Sequence, residues 1–126
     1  MKHIKNKKNL SRKYSHKKSM LSNMCCSLIE YKSIYTTLRK AKELQKYIEP
    51  ILNKIKINNT YSIKRIIYSK LKNKKIIKIL FNEILNKIKN RNSGYTRILK
   101  AGYRKGDSSK MSIIQLVDFY KIKKNI

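Results

Sequence analysis

Residues 37–55 read TLRKAKELQKYIEPILNKI, and in them Ala41, Leu44, Ile48, Ile51 and Ile55 recur at steps of three, four, three and four. That rhythm is one apolar stripe on an α-helix, with lysines and glutamates on the remaining faces. Thr37 stands where a side-chain oxygen can cap the first turn. Pro50 lies inside the stripe; it removes one helical hydrogen bond and crowds the preceding turn. The stripe keeps its phase across the proline, which predicts a helix kinked at Pro50 rather than two separate helices.

On the N-terminal side, Ile34-Tyr35-Thr36-Thr37 is β-branched and aromatic, the composition of a short strand. Before it, Met20, Met24 and Leu28 step by four with Leu21 and Cys25 alongside, predicting a helix that starts at an Ser15 cap and fades near Lys32. Residues 1–14 are polar, basic and without period, and read as an arm that is solvated when free and ordered only on its partner.

On the C-terminal side, Asn58-Asn59-Thr60 breaks the helix. Ile63, Ile66, Ile67 and Leu71 mark a third helix. Asn73 can cap a fourth, whose apolar face, Ile76 to Ile88, is wide enough to touch two neighbours. After Asn90 the period changes, and all three glycines fall there. Tyr95–Tyr103 reads as a strand, Gly106-Asp107-Ser108-Ser109 as a turn, and Met111–Phe119 as a second strand with both faces partly apolar. The two strands predict an antiparallel hairpin. A lone hairpin is marginal in water, so it needs the Ile34–Thr37 strand beside it and helices on one face. The fold class is α+β: one domain over residues 15–119, a basic arm over 1–14 and a basic tail over 120–126.

Charge bounds the function. Thirty-three Lys and Arg face six Asp and Glu in 126 residues, a formal charge of +27. Such a chain repels itself on compaction and calls for a polyanion; nucleic acid releases condensed counterions when Lys and Arg replace them. The abundance of Lys, Ile and Asn follows A/T-rich codons, so Lys is a weak signal. The six arginines (Arg12, Arg39, Arg65, Arg91, Arg97, Arg104) carry more, because a guanidinium grips phosphate in two places. Nine tyrosines offer planes for unpaired bases. Charge alone does not separate RNA from DNA.

Other classes fit worse. The acids are scattered, His3 and His16 lie in or beside the arm, and no dinucleotide or phosphate-loop motif is present, so an enzyme is not expected. Adjacent Cys25 and Cys26 lack the spacing of a zinc knuckle and read as small apolar helix residues in a reducing compartment. No cofactor, metal or small-molecule substrate is expected. No apolar run approaches ~20 residues, and Met1–Lys8 is not a secretory signal, so no membrane partner is expected. A DNA-compacting nucleoid protein remains the alternative.

Ordered matches then carry a resemblance. They run from Met1-Lys2-His3, Arg12, Ser15-His16 and Asn23-Met24 through Thr36-Thr37-Leu38 and Lys40-Ala41-Lys42-Glu43-Leu44. They continue with Glu49-Pro50, Leu80-Phe81-Asn82-Glu83, Gly94–Lys100, Arg104-Lys105-Gly106-Asp107 and Leu116-Val117. In order and spacing the chain resembles the family of the seventeenth protein of the bacterial large ribosomal subunit. The resemblance implies a two-layer helix–strand–three-helix–two-strand domain with a small mixed or antiparallel sheet. It implies a structural constituent of the ribosome in the bacterial cytosol, bound to large-subunit rRNA and neighbouring large-subunit proteins near the peptide exit tunnel mouth. It also suggests that Arg97 and Lys100 meet phosphates while Ile98 and Leu99 help close the core. The chain departs from the family pattern at Ser93, usually glycine, at Gln115, usually glutamate, at Lys17, often arginine, and at Cys25-Cys26. Charge density, retained arginines and the resemblance together select His3, Arg12, Lys13, His16 and Lys17, then Arg39, Lys40 and Lys42, then Arg97, Lys100, Arg104 and Lys105 as the RNA-contacting residues.

Overall fold

The computed structural model describes residues 10, 12–58 and 60–119. In chain order the elements are α1 (Tyr14–Tyr31), β1 (Ser33–Thr37), α2 (Leu38–Ile57), α3 (Tyr61–Leu71), α4 (Lys74–Ile79), α5 (Leu85–Ile88), β2 (Thr96–Tyr103) and β3 (Lys110–Leu116). A π-helical turn, Leu80–Ile84, joins α4 to α5 without a break, so the two form one helical rod. The order is therefore the expected helix, strand, three helices, two strands.

The sheet is antiparallel throughout, in the order β1-β3-β2. The last strand is thus the central one, and it supplies the partner that the hairpin alone lacks. Register sorts the faces. Ile34, Ile98 and Ile114 share one rung and one face, with Leu116 two residues along. That face packs on the helices: Ile114 and Leu116 are buried, and Ile34 and Ile98 are partly buried against the same cluster. Ser33, Tyr35, Arg97, Leu99, Ile113 and Gln115 lie on the other face. Leu99 accordingly is 42% exposed and does not close the core, contrary to expectation.

The central helix is α2. Its predicted stripe, Ala41, Leu44, Ile48, Ile51 and Ile55, is buried in full, with Leu52 added. Thr37 caps it, its Oγ1 accepting from the Lys40 N–H at 3.4 Å. The helix runs on through Pro50, which sits on its exposed side. Asn73 caps α4, its Oδ1 accepting from the N–H groups of Lys75 and Ile76.

Four local expectations need correction. Ser15 does not cap α1; the helix starts at Tyr14, Lys13 takes the cap position, and no side chain accepts there. The deepest residues of α1 are Leu21, Cys25, Leu28 and Ile29, with Met20 and Met24 only partly buried. Ile66 is 42% exposed, because α3 turns Ile63, Ile67 and Leu71 inward at steps of four. β3 stops at Leu116, and Val117–Phe119 form a 3₁₀ turn. The Leu116 N–H donates to the Lys32 carbonyl and the Val117 N–H to the Tyr95 carbonyl, both in the register of the sheet, and the pairing ends with these two bonds. Cys25 is fully buried, and that burial, with Cys26 beside it, pushes its thiol above the usual range. The predicted arm and tail lie mostly outside the described residues.

Candidate nucleic-acid interface

All six carboxylates are engaged within the protein. Glu43, buried on α2, meets Lys17 of α1 at 3.3 Å and Lys46 at 3.7 Å. The second distance is too long for a hydrogen bond, and Glu43 Oε1 has no hydrogen-bond partner among the described residues. Glu30 pairs with Lys75, Glu83 with Lys32, Asp118 with Arg91, and Asp107 with Arg104. The Arg104 guanidinium, with the Ser109 hydroxyl and N–H, holds the Asp107 carboxyl well below its ordinary pKa. Glu49 has no ion pair among the described residues; it accepts instead from the N–H groups of Tyr95 and Thr96 and from the Thr96 hydroxyl. Five of the acids therefore join separate parts of the chain, Asp107 braces the β2–β3 turn, and most of the cations are left to face outward.

The cations converge at the start of α2. β1 passes directly into that helix, since Thr37 is both the last residue of the strand and the helix cap. Across the sheet Thr37 stands opposite Met111, which brings the β2–β3 turn and Lys110 alongside the first turn of α2. With residues 10 and 12 they enclose a cleft of about 580 Å³. Arg12, Arg39, Lys40, Lys42 and Lys110 line it, with Thr37 and Ser109 supplying hydroxyls. The first turn of α2 carries no acid, and its unpaired N–H groups add positive potential. A phosphate group fits such a place by charge and by hydrogen bonding.

Four of the predicted residues, Arg12, Arg39, Lys40 and Lys42, are thus brought together. Lys13 and His16 are exposed at the start of α1 but do not line the cleft. Lys17 is held by Glu43. Arg97 donates from Nε to Gln115 Oε1 at 2.9 Å. Lys100 and Lys105 are exposed, on β2 and on the turn, and Arg104 is pinned to Asp107. His3 lies outside the described residues. Sequence reasoning missed Lys110, Thr37 as a cleft wall, and Ser109. Only strand register places those three together, and no local signal encodes it.

No described helix is long and apolar enough to cross a membrane. No group of three or more His, Cys, Asp or Glu able to hold a metal ion occurs among the described residues.

The family Ribosomal protein L17 matches residues 20–117. The Large ribosomal subunit protein bL17 of Porphyromonas gingivalis is 51% identical over 119 residues, covering 94% of this chain and 74% of that protein. The bL17 of Bacteroides fragilis is 48% identical over 119 residues, covering 94% and 73%. That of Flavobacterium johnsoniae is 44% identical over 122 residues, covering 97% and 74%. The match takes in α2, the antiparallel sheet and all of the cleft except residues 10 and 12, and on it the chain belongs to the ribosomal protein L17 family.

Proposed function

We propose that this chain is a structural constituent of the large ribosomal subunit that binds and stabilises folded large-subunit rRNA, near the mouth of the peptide exit tunnel. One observation carries the reading: five cations and a capped helix start share one cleft that no acid lines among the described residues, while all six acids are engaged within the protein. The body, residues 15–119, presents the cleft together with Leu10 and Arg12 of the arm, and the basic segments 1–14 and 120–126 extend the contact along RNA. Arg12, Arg39, Lys40 and Lys42 meet phosphates in the cleft. His3, Lys13, His16, Lys17, Arg97, Lys100, Arg104 and Lys105 flank it with further contacts, those already paired internally using their remaining donors. Phosphate contacts of this kind position RNA and add affinity without reading sequence. The chain needs no cofactor and performs no catalysis in this role; its protein partners are neighbouring large-subunit proteins, and its place is the ribosome of the cytosol.

Sedimentation tests the proposal. The native protein is expected to travel with the large subunit through a gradient at raised salt and to prefer rRNA over duplex DNA in competition. Recovery at the top of the gradient, or equal exchange onto DNA, would refute it and favour a nucleoid role.

A further inference from the structure

A second surface lies between α3 and α4 and shares no residue with the cleft. Tyr61, Arg65 and Tyr68 follow one another at steps of four and three, so they form a stripe along one side of α3. Ile67 and Leu71, on another face of that helix, are buried in the core. Tyr61 is 76% exposed and Tyr68 43% exposed. Ile77 of α4 completes an apolar floor, and the whole encloses about 710 Å³. A single exposed tyrosine needs no explanation. Here two rings and an isoleucine share one concavity, whose size is that of a ligand site.

The rim chooses the occupant. Lys64, Arg65, Lys74 and Lys78 surround the floor, and no acid lines it among the described residues. Lys64 places its ammonium 5.1 Å from the centre of the Phe81 ring, which keeps that charge beside the groove. A partner with a flat apolar part and a strongly anionic part matches this surface. An ordinary protein surface supplies the first but not a matching density of negative charge, and a duplex supplies the second while hiding its base faces. Unpaired RNA supplies both. Tyr61 and Tyr68 are two helical turns apart, roughly 11 Å, so they serve as separate platforms.

We infer that the α3–α4 groove is a second RNA site, which takes unpaired nucleotides by stacking bases on Tyr61 and Tyr68 and meeting the flanking phosphates with Arg65, Lys74 and Lys78. This rests on the RNA-binding reading above and adds the kind of RNA recognised: single-stranded nucleotides at the groove, phosphate backbone at the cleft.

The test compares the full-length protein with Tyr61→Ala/Tyr68→Ala, Tyr61→Phe/Tyr68→Phe and Lys42→Ala. The probes are an unstructured uridine-rich RNA octamer and a blunt RNA duplex. Both tyrosines are exposed, so the variants should fold, and circular dichroism checks that they do. The alanine pair should bind the octamer about tenfold more weakly and the duplex unchanged, while the phenylalanine pair keeps wild-type binding. If the alanine pair binds the octamer like wild type while Lys42→Ala weakens both probes, the groove site is refuted and the RNA-binding reading stands. If neither change weakens either probe, both fall. Loss of the alanine pair from assembled particles with unchanged octamer binding would assign the groove to a protein neighbour and overturn the inference.

Discussion

Thr96 is the residue at which the sheet is fastened to the helices. Glu49 of α2 accepts from its N–H at 3.0 Å and from its hydroxyl at 2.7 Å, and Gln45 Nε2 donates to its hydroxyl and carbonyl. The carboxylate does for β2 what a cap does for a helix: it satisfies donors that the ladder leaves open. Glu49→Ala leaves those donors in a half-buried place without an acceptor. It should therefore lower stability by about 2 kcal/mol in urea denaturation, with Glu49→Gln, which keeps one acceptor oxygen, falling between. No stability change would show that water replaces the carboxylate at no cost. The sequence marks Glu49 as one of six scarce acids and as part of the Glu49-Pro50 match, without saying what it holds. Its role depends on a contact 47 residues away, which no local pattern encodes. The arginines were only partly legible for the same reason. Arg12 and Arg39 line the cleft and Arg65 the groove, whereas Arg91 and Arg104 are bound to aspartates and Arg97 to Gln115. Scarcity of Arg identifies residues with a demanding partner; it does not say whether the partner is RNA or the protein's own carboxylate.

At the scale of elements, periodicity and capping were the readable signals. The α2 stripe is buried as expected, and Thr37 and Asn73 cap their helices as expected, whereas Ser15 does not cap α1 and Thr60, expected only as part of a break, caps α3. Of these, Asn73 accepts from two N–H groups, at 3.1 and 3.4 Å, and starts the rod that α4 and α5 share. Asn73→Ala should cost about 1 kcal/mol of stability, and Asn73→Gly only a few tenths, in thermal or chemical denaturation. An equal loss for both would mean that the side-chain bonds contribute little. What periodicity could not supply is the π-helical turn at Leu80–Ile84. The wide stripe from Ile76 to Ile88 fits a helix touching two neighbours. In the rod, Leu80, Phe81, Ile84 and Ile88 are buried while Ile77 and Leu85 are only half-buried. An extra residue within one turn re-aims the side chains that follow it. Face assignment in the sheet was the other gap. Alternation allowed either Arg97 or Ile98 to point inward, and pairing with Ile114 of the central strand decides for Ile98.

At the scale of the whole molecule, the fold converts a uniform excess of charge into a directed one. With a net charge of +27, neutralising every face is out of reach, and five of the six acids instead join separate parts of the chain, among them α1 to α2 through Lys17 and Glu43, α1 to α4 through Glu30 and Lys75, and the 3₁₀ turn to the segment after the α4–α5 rod through Asp118 and Arg91. Composition alone announced a polyanion partner. The cleft that concentrates the charge required the direct passage of β1 into α2 and the register of β3, neither of which is local. In the proposed role individual cations of this cleft each replace counterions on RNA phosphate, and salt dependence measures that number directly. Binding of the full-length protein to a large-subunit rRNA fragment should be followed as log K against log salt for the wild type, Arg39→Ala and Lys42→Ala. Each substitution is predicted to make the slope shallower by about 1. Slopes identical to the wild type for both variants would show that the cleft does not meet RNA phosphates.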